Sequence, residues 1–172
     1  MDLKTMDNLE TFKILSSEVS FPSSMHLIKI FSKENLKKIA KDYIIVTNAH
    51  NQLLAHINKD FLKIHKESIY IFSDSSILEF AAKFLYKKRS KGVFLGSWLV
   101  REICRIVEKE DINIGFYGSS QINLKKLKLN LLNEFPDLNI KFTFSPPHMK
   151  NGLAHDEKSI KNMNNKDLDI VF

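Results

Sequence analysis

The chain has 172 residues, and its 44% hydrophobic and 27% charged content is that of a globular protein, not of a disordered chain. The formal net charge of +6 favours anionic partners such as nucleotides, lipid pyrophosphates, membrane surfaces or nucleic acid. No apolar run approaches the roughly twenty residues of a membrane span, and Met1–Lys13 lacks the pattern of a signal peptide, so we expect a cytoplasmic protein.

Short apolar runs alternate with helical periodicity along the whole chain. A strand or hairpin is predicted within residues 12–21, and buried strands are predicted at 43–47, 68–72, 112–117, 138–144 and 168–172. Intervening helices indicate βαβ units, because parallel strands need such crossovers. We therefore expect one α/β domain over residues 1–172, with a single Rossmann-like, mostly parallel sheet that carries helices on both faces.

Helices are predicted between these strands from apolar spacing. Ile28–Ile39 and Leu53–Phe61 each predict one helix. Ile77, Phe80, Ala81, Phe84 and Leu85 match the spacing of an amphipathic helix closely. A further helix is expected to begin at a Ser97 cap and to run through Glu108, and another follows Gly118-Ser119-Ser120. The single cysteine, Cys104, is interpreted as a small buried hydrophobe and not as a nucleophile.

Polar turns follow four of the predicted strands. In open parallel sheets, ligands bind beyond the carboxyl ends of the strands, so these turns predict one ligand site. The turns are Thr47-Asn48-Ala49-His50, Ser73-Asp74-Ser75-Ser76, Gly118-Ser119-Ser120 and Ser145-Pro146-Pro147-His148. The alternative is that Asn48, Ser73 and Ser119 only cap the following helices. Asp74 fits a general base and a helix cap equally well.

Several kinds of site lack their sequence signals. The chain contains no G-x-G-x-x-G dinucleotide motif, no P-loop and no G-x-S-x-G elbow. The six histidines lack metal-ligand spacing, so we expect neither a metal nor a cofactor. The basic runs at 87–91 and 125–128 have no interleaved aromatic residues, so we expect solvated surfaces and no nucleic-acid partner.

In this order, the motifs resemble the WecG/TagA/CpsF family of glycosyltransferases, the N-acetylmannosaminyltransferase type of bacterial cell-surface polysaccharide synthesis. The resemblance covers residues 12–172. It rests on a Thr/Asn turn, an aspartate turn, a Gly-Ser pair, a glycine turn before a long helix with a Phe-Pro ending, and a final inner strand, here Val46–His50, Ser73–Ile77, Gly96-Ser97, Phe116–Leu138 and Asp167–Phe172.

The resemblance implies transfer of an N-acetylhexosamine-type sugar from a UDP donor to a sugar on undecaprenyl pyrophosphate, with inversion. Asp74 would deprotonate the acceptor hydroxyl. The remaining implied substrate-binding residues are Thr47, Asn48, Gly96, Ser97, Gly118, Ser119 and Ser145. The lipid acceptor implies peripheral contact at the inner face of the plasma membrane.

The chain departs from the family pattern at several positions. Ser75 replaces a glycine, Val93 an arginine and Trp98 an aspartate, and the family's Gly-x-Pro-x-Gln-Glu segment has no counterpart. These departures predict a member that lacks the family's C-terminal part. The alternative functions are a truncated, catalytically inactive paralogue and an unrelated Rossmann-like nucleotide-binding module.

Overall fold

The computed structural model describes residues 9–39, 41–87, 95–146 and 157–172. The first half contains β1 (Thr11–Ile14), β2 (Ser17–Ser20), α1 (Ser24–Ile30), α2 (Lys33–Lys38), β3 (Ile44–Thr47), α3 (Ala49–Ile57), α4 (Lys59–Glu67), β4 (Tyr70–Ser73) and α5 (Ser76–Tyr86). The second half contains α6 (Gly96–Val107), β5 (Ile114–Tyr117), α7 (Gln121–Glu134), β6 (Ile140–Phe144), α8 (Glu157–Asn164) and β7 (Ile170–Val171). All the predicted strands are present, and the predicted hairpin is β1–β2.

The strands form two sheets. In the first, the order is β1-β2-β4-β3, and only the β1–β2 hairpin is antiparallel. In the second, the order is β6-β5-β7 with all strands parallel. The fold is therefore α/β and parallel-dominated, as the sequence predicts.

The prediction of a single continuous sheet is wrong for the described residues. Edge strands β3 and β7 both line one cavity of about 470 Å³, whose wall also includes residues of α2, β4 and α6. This space separates the two edges, so the strands do not join into one hydrogen-bonded ladder.

Helices cover both faces of the first sheet. Successive side chains of a strand point to opposite faces, and in β4 the buried Tyr70 and Phe72 belong to one core cluster while Ile71 belongs to another. The larger cluster contains residues of α1 and α6 and also of β5 in the second sheet. The smaller cluster contains the hairpin residues and Leu78 and Ala82 of α5.

Two predicted helices are each divided by a capping residue. Ser32 accepts a hydrogen bond from the Asn35 amide at 3.4 Å and begins α2, which separates it from α1. Asn58 ends α3 and begins α4, accepting from the amides of Asp60 and Phe61 at 2.9 and 3.1 Å. Short polar side chains that satisfy free amides start a new helix inside an otherwise continuous apolar pattern.

The apolar stripe predicted on α5 does not face the core. Its apolar stripe lies in solvent, whereas Leu78 and Ala82 on the other side are 4% and 1% exposed. The exposed side chains, with their exposed fractions, are Ile77 (66%), Phe80 (69%), Phe84 (75%) and Leu85 (61%).

Cys104 is fully buried in α6, and burial raises the pKa of its thiol to about 12. The interpretation as a buried hydrophobe is confirmed. No described helix has the length and apolarity to cross a bilayer. Three features of the sequence analysis lie outside the described residues: the basic residues that follow Lys87, the position of Val93, and Pro147-His148 of the fourth polar turn.

Candidate functional site

The carboxyl ends of β3 and β4 meet at one edge of the first sheet. Thr47 lies opposite Ser73 in the parallel register, and the amide of Asp74 donates to the Thr47 carbonyl at 3.0 Å. Asn48 and Asp74 therefore follow neighbouring strands at the same edge. The parallel register of β3 and β4 alone therefore places Thr47, Asn48 and Asp74 close together.

Two of these turns contain a helix cap. Asn48 Oδ1 accepts from the Asn51 amide at 3.0 Å, so the capping alternative holds for Asn48. Ser75, and neither Ser73 nor Asp74, caps α5, with Oγ accepting from the Leu78 amide at 3.5 Å. Ser73 Oγ instead accepts from the amide of Ser75 at 3.1 Å. The Asp74 carboxylate is thus not used to cap the helix that follows it.

The half-buried carboxylate of Asp74 faces the beginning of α6. A Cβ built on Gly96 would lie 3.6 Å from Asp74 Oδ2, in ordinary van der Waals contact, so the glycine leaves the carboxylate uncovered by a side chain on that side. The residue before the helix, Leu95, supplies no side-chain cap. The predicted Ser97 cap is wrong, since Ser97 lies exposed inside the helix. Gly96, the first residue of α6, therefore lies close to Asp74, and a helix N-terminus favours negative charge.

A buried glutamine contacts Thr47 from α3. Thr47 is 1% exposed, and its Oγ1 donates to the Asn48 carbonyl and accepts from Gln52 Nε2, each at 3.4 Å. Gln52 is fully buried, and its Oε1 has no hydrogen-bond partner among the described residues. The sequence prediction missed Gln52. Its spacing of three residues from both Ala49 and Ala55 could have placed it on the inner face of α3.

A second group of predicted residues lies at the carboxyl edge of the second sheet. Gly118 has φ +116° and Ser119 φ +59°, and the Gly118 amide donates to the Phe144 carbonyl at 2.9 Å. Ser145 Oγ donates to the Ser119 carbonyl at 2.7 Å, so the turns after β5 and β6 are joined. The capping alternative is wrong for Ser119, because Ser120 caps α7.

The predicted site residues therefore form two groups. Thr47, Asn48, Asp74 and the Gly96-Ser97 pair lie around the edge of the first sheet, and Gly118, Ser119 and Ser145 lie at the edge of the second. One cavity is lined both by Gly96 of the first group and by Phe172, which follows β7 in the second sheet. The Phe172 carbonyl accepts from the amide of Tyr117, next to Gly118, at 2.8 Å.

Parallel-dominated sheets with polar turns and free amides at their carboxyl edges define an α/β protein of the Rossmann-like class, whose ligand sites lie at those edges. The profile of the glycosyl transferase WecG/TagA/CpsF family matches residues 12–172, from the first strand to the last. The chain therefore belongs to the WecG/TagA/CpsF family of glycosyltransferases. No curated protein matches the chain. A glycosyltransferase family implies a sugar donor and an acceptor as substrates.

Proposed function

We propose that the chain transfers an N-acetylhexosamine-type sugar from a UDP donor to a sugar on undecaprenyl pyrophosphate, at the inner face of the plasma membrane, in bacterial cell-surface polysaccharide synthesis. Family membership supports the reaction class. The observation that carries the proposal is the carboxylate of Asp74, which is free of the capping role and lies beside Gly96, next to Thr47.

In this proposal Asp74 is the general base. Its carboxylate accepts the proton of the acceptor hydroxyl while the hydroxyl oxygen attacks the anomeric carbon of the donor. The bond between that carbon and the UDP oxygen breaks, the electron pair leaves with UDP, and the configuration inverts. A base must reach the transferred proton over about 2.6–3.2 Å, and the absence of a side chain at Gly96 leaves Oδ2 uncovered on that side.

The leaving diphosphate needs stabilisation by fixed positive potential. The backbone amides of Gly96 and Ser97 in the first turn of α6 and the Ser119 amide supply donors at the carboxyl edges of the two sheets, whereas the Gly118 amide already donates to the Phe144 carbonyl. Thr47 and Asn48 complete the proposed donor-binding set. Preorganised donors of this kind stabilise developing negative charge without reorganisation, so the proposed mechanism does not require a metal.

A second candidate function is nucleotide binding without transfer. Trp98 stands where the family has an aspartate, and its side chain packs, half-buried, against the larger core cluster. A carboxylate can act as a base or bind a polar ligand, whereas the indole packs against the core. This observation favours a catalytically inactive paralogue that keeps the donor site.

The two candidates differ in the effect of Asp74→Asn. If Asp74 is the base, the variant keeps UDP affinity in calorimetry, while turnover from a UDP-sugar to a lipid-pyrophosphate acceptor falls by roughly 10² or more. Since Ser75 is the helix cap, the melting temperature should not change. Asp137→Asn, at an exposed position after α7, is the matched control and should behave as the parent chain.

Three other results distinguish the active transferase from the inactive paralogue. Turnover that persists in Asp74→Asn within about twofold would exclude the base role. UDP binding by the parent chain without turnover would support the inactive paralogue. Neither binding nor turnover would leave the transferase proposal without support.

A further inference from the structure

A polar cavity lies at the end of the first sheet that is opposite the candidate catalytic edge. Its volume is about 340 Å³, within the range of roughly 300–1,000 Å³ that small-molecule sites occupy. Ser68 in its wall and Asp74 stand at opposite ends of β4, about 20 Å apart for a strand of this length. The wall is formed by Lys13, Ser16, Ser17, Glu18, His65, Lys66, Ser68 and Ile71. None of these residues belongs to the proposed donor or acceptor site.

The imidazole of His65 is the buried polar group of this cavity. His65 is 2% exposed, and its Nδ1 lies 3.1 Å from Oγ of Ser17, which is 5% exposed. Among the described residues only Nδ1 of this ring has a hydrogen-bond partner, and the ring lines the cavity, so Nε2 is open to a ligand. A hydroxyl can accept as well as donate, so Ser17 can also hold the protonated ring. In that form Nε2–H is a donor for an anion.

The charges around the cavity favour an anion once the ring is protonated. Lys13 lies opposite Glu18 in the antiparallel register of β1 and β2, so these two charges offset each other. Lys66, on α4 next to His65, adds a further positive charge. The last carbonyls of a helix repel anions, but the His65 carbonyl already accepts from Ser68 Oγ at 2.7 Å. With His65 protonated, the positive charges of the wall outnumber its single carboxylate.

We propose that this cavity binds a phosphoryl group, free or on a small organic phosphate, and that His65 takes up a proton as the anion binds. Burial lowers the pKa of His65, so without an anion the ring is neutral near neutral pH. An anion beside Nε2 favours the charged form, and hydrogen bonds between charged partners are the strong ones. The inference goes beyond the proposed function, since it concerns a separate site.

Calorimetry of the full chain with sulfate tests the proposal without any measurement of turnover. Sulfate stays a dianion over the pH range used, so a pH dependence of its binding belongs to the protein. Because the pKa of His65 is low without the anion and raised by it, affinity is gained as the pH falls. At constant ionic strength, we expect affinity to rise at least about tenfold from about pH 7.5 to about pH 5.5. His65→Gln should remove this rise, and circular dichroism at each pH checks that the chain stays folded.

Charge variants separate this site from general attraction to a basic protein. Lys66→Gln should weaken sulfate binding several-fold, whereas Lys63→Gln, an equal change of charge at an exposed position of the same helix outside the wall, should not. Glu18→Gln should strengthen binding, because the charge of Lys13 is then no longer offset.

The source of the phosphoryl group follows from two further titrations. Glycerol 3-phosphate that binds more tightly than inorganic phosphate would assign the cavity to an organic phosphate, and equal affinity would assign it to the free anion. No sulfate binding by the parent chain at about pH 5.5 would overturn the proposal, since one further proton should then favour binding. Equal losses in Lys63→Gln and Lys66→Gln, or a pH dependence that persists in His65→Gln, would overturn it as well.

Discussion

Replacing Gln52 by methionine should make the protein more stable and bind the donor less well. Gln52 is fully buried on α3, its Nε2 donates to Thr47 Oγ1 at 3.4 Å, and its Oε1 has no partner among the described residues. Methionine has nearly the same shape and volume but no hydrogen-bonding atom. The substitution therefore removes one unpartnered acceptor and one long hydrogen bond while the packing is kept.

The two effects differ in size. A buried polar group without a partner costs about 1–3 kcal/mol, whereas a hydrogen bond near the upper distance limit contributes about 0.5 kcal/mol. The balance predicts that Gln52→Met raises the free energy of unfolding by about 1 kcal/mol. For a chain of this length the midpoint of thermal unfolding should rise by about 2–4 °C. UDP binding should weaken, because the Thr47 hydroxyl loses the neighbour that orients it.

A double-mutant cycle isolates the pair. Thr47→Val alone should lower stability by about 1–3 kcal/mol, since it leaves Gln52 Nε2 unpartnered as well as Oε1. The double variant Thr47→Val/Gln52→Met removes every member of the pair and should recover most of that loss, which is a coupling of at least about 1 kcal/mol. Urea unfolding monitored by circular dichroism gives each value. If Gln52→Met were less stable than the parent chain by 1 kcal/mol or more, Oε1 would have a partner in solution and the argument would fail.

Three further predictions concern stability. Burial lowers the pKa of His65 below its ordinary 6.5, so the unfolded chain binds the proton more readily than the folded chain. The free energy of unfolding should therefore fall as the pH drops below about 6.5. His65→Gln should remove that pH dependence in urea titrations. Gly115→Ala should cost about 1–3 kcal/mol, because its Cβ would lie 3.3 Å from that of Phe142 on β6, and unchanged thermal unfolding would contradict this contact. Ile103→Ala should lower the free energy of unfolding by about 2–5 kcal/mol and keep a single unfolding transition if the two sheets form one domain. The control Ile122→Ala, at a 67% exposed position, should change stability by no more than about 0.5 kcal/mol. Two separate transitions would exclude a single domain.

The strands were predictable because their pattern is local. The aromatic and β-branched run Tyr70–Ser73 buries side chains on both faces, and this requirement shows in the sequence itself. The edge that unites Thr47, Asn48 and Asp74 follows from the same information, since neighbouring parallel strands end together. The parallel fold class and the position of that edge were therefore within reach of the sequence.

The division into two sheets was not predictable, because it depends on which strand edges pair. β3 and β7 have apolar patterns that suit neighbouring positions in one sheet, yet a cavity lies between them. The direction of α5 was equally hidden. Its spacing of apolar residues is the same whether Phe80 and Phe84 face a core or a partner, and only the packing of Leu78 and Ala82 decides.

The sequence could not predict that the Asp74 carboxylate has no capping role, because the adjacent Ser75 can cap the same helix. Asp74 and Ser75 are both good caps, and the sequence alone favours neither. In the structure the serine takes the cap and the aspartate turns towards Gly96. Ser75, the departure from the family's glycine, thereby accounts for the lack of a capping role at Asp74.

Helix α6 links the candidate base to the second sheet. It begins at Gly96 beside Asp74, and Ile103 on its buried face belongs to the core cluster that contains strands of both sheets. Further along, Arg101 Nε donates to both carboxylate oxygens of Glu134, at 3.0 and 3.2 Å, near the end of the helix that follows the glycine turn. This exposed ion pair adds little stability, but its bidentate geometry orients α6 relative to α7. Because Gly96, the first residue of α6, lies beside the carboxylate, a change that shifts the helix in the core also moves its first turn relative to Asp74. Core substitutions in α6, such as Ile103→Ala, should therefore lower transferase turnover as well as stability.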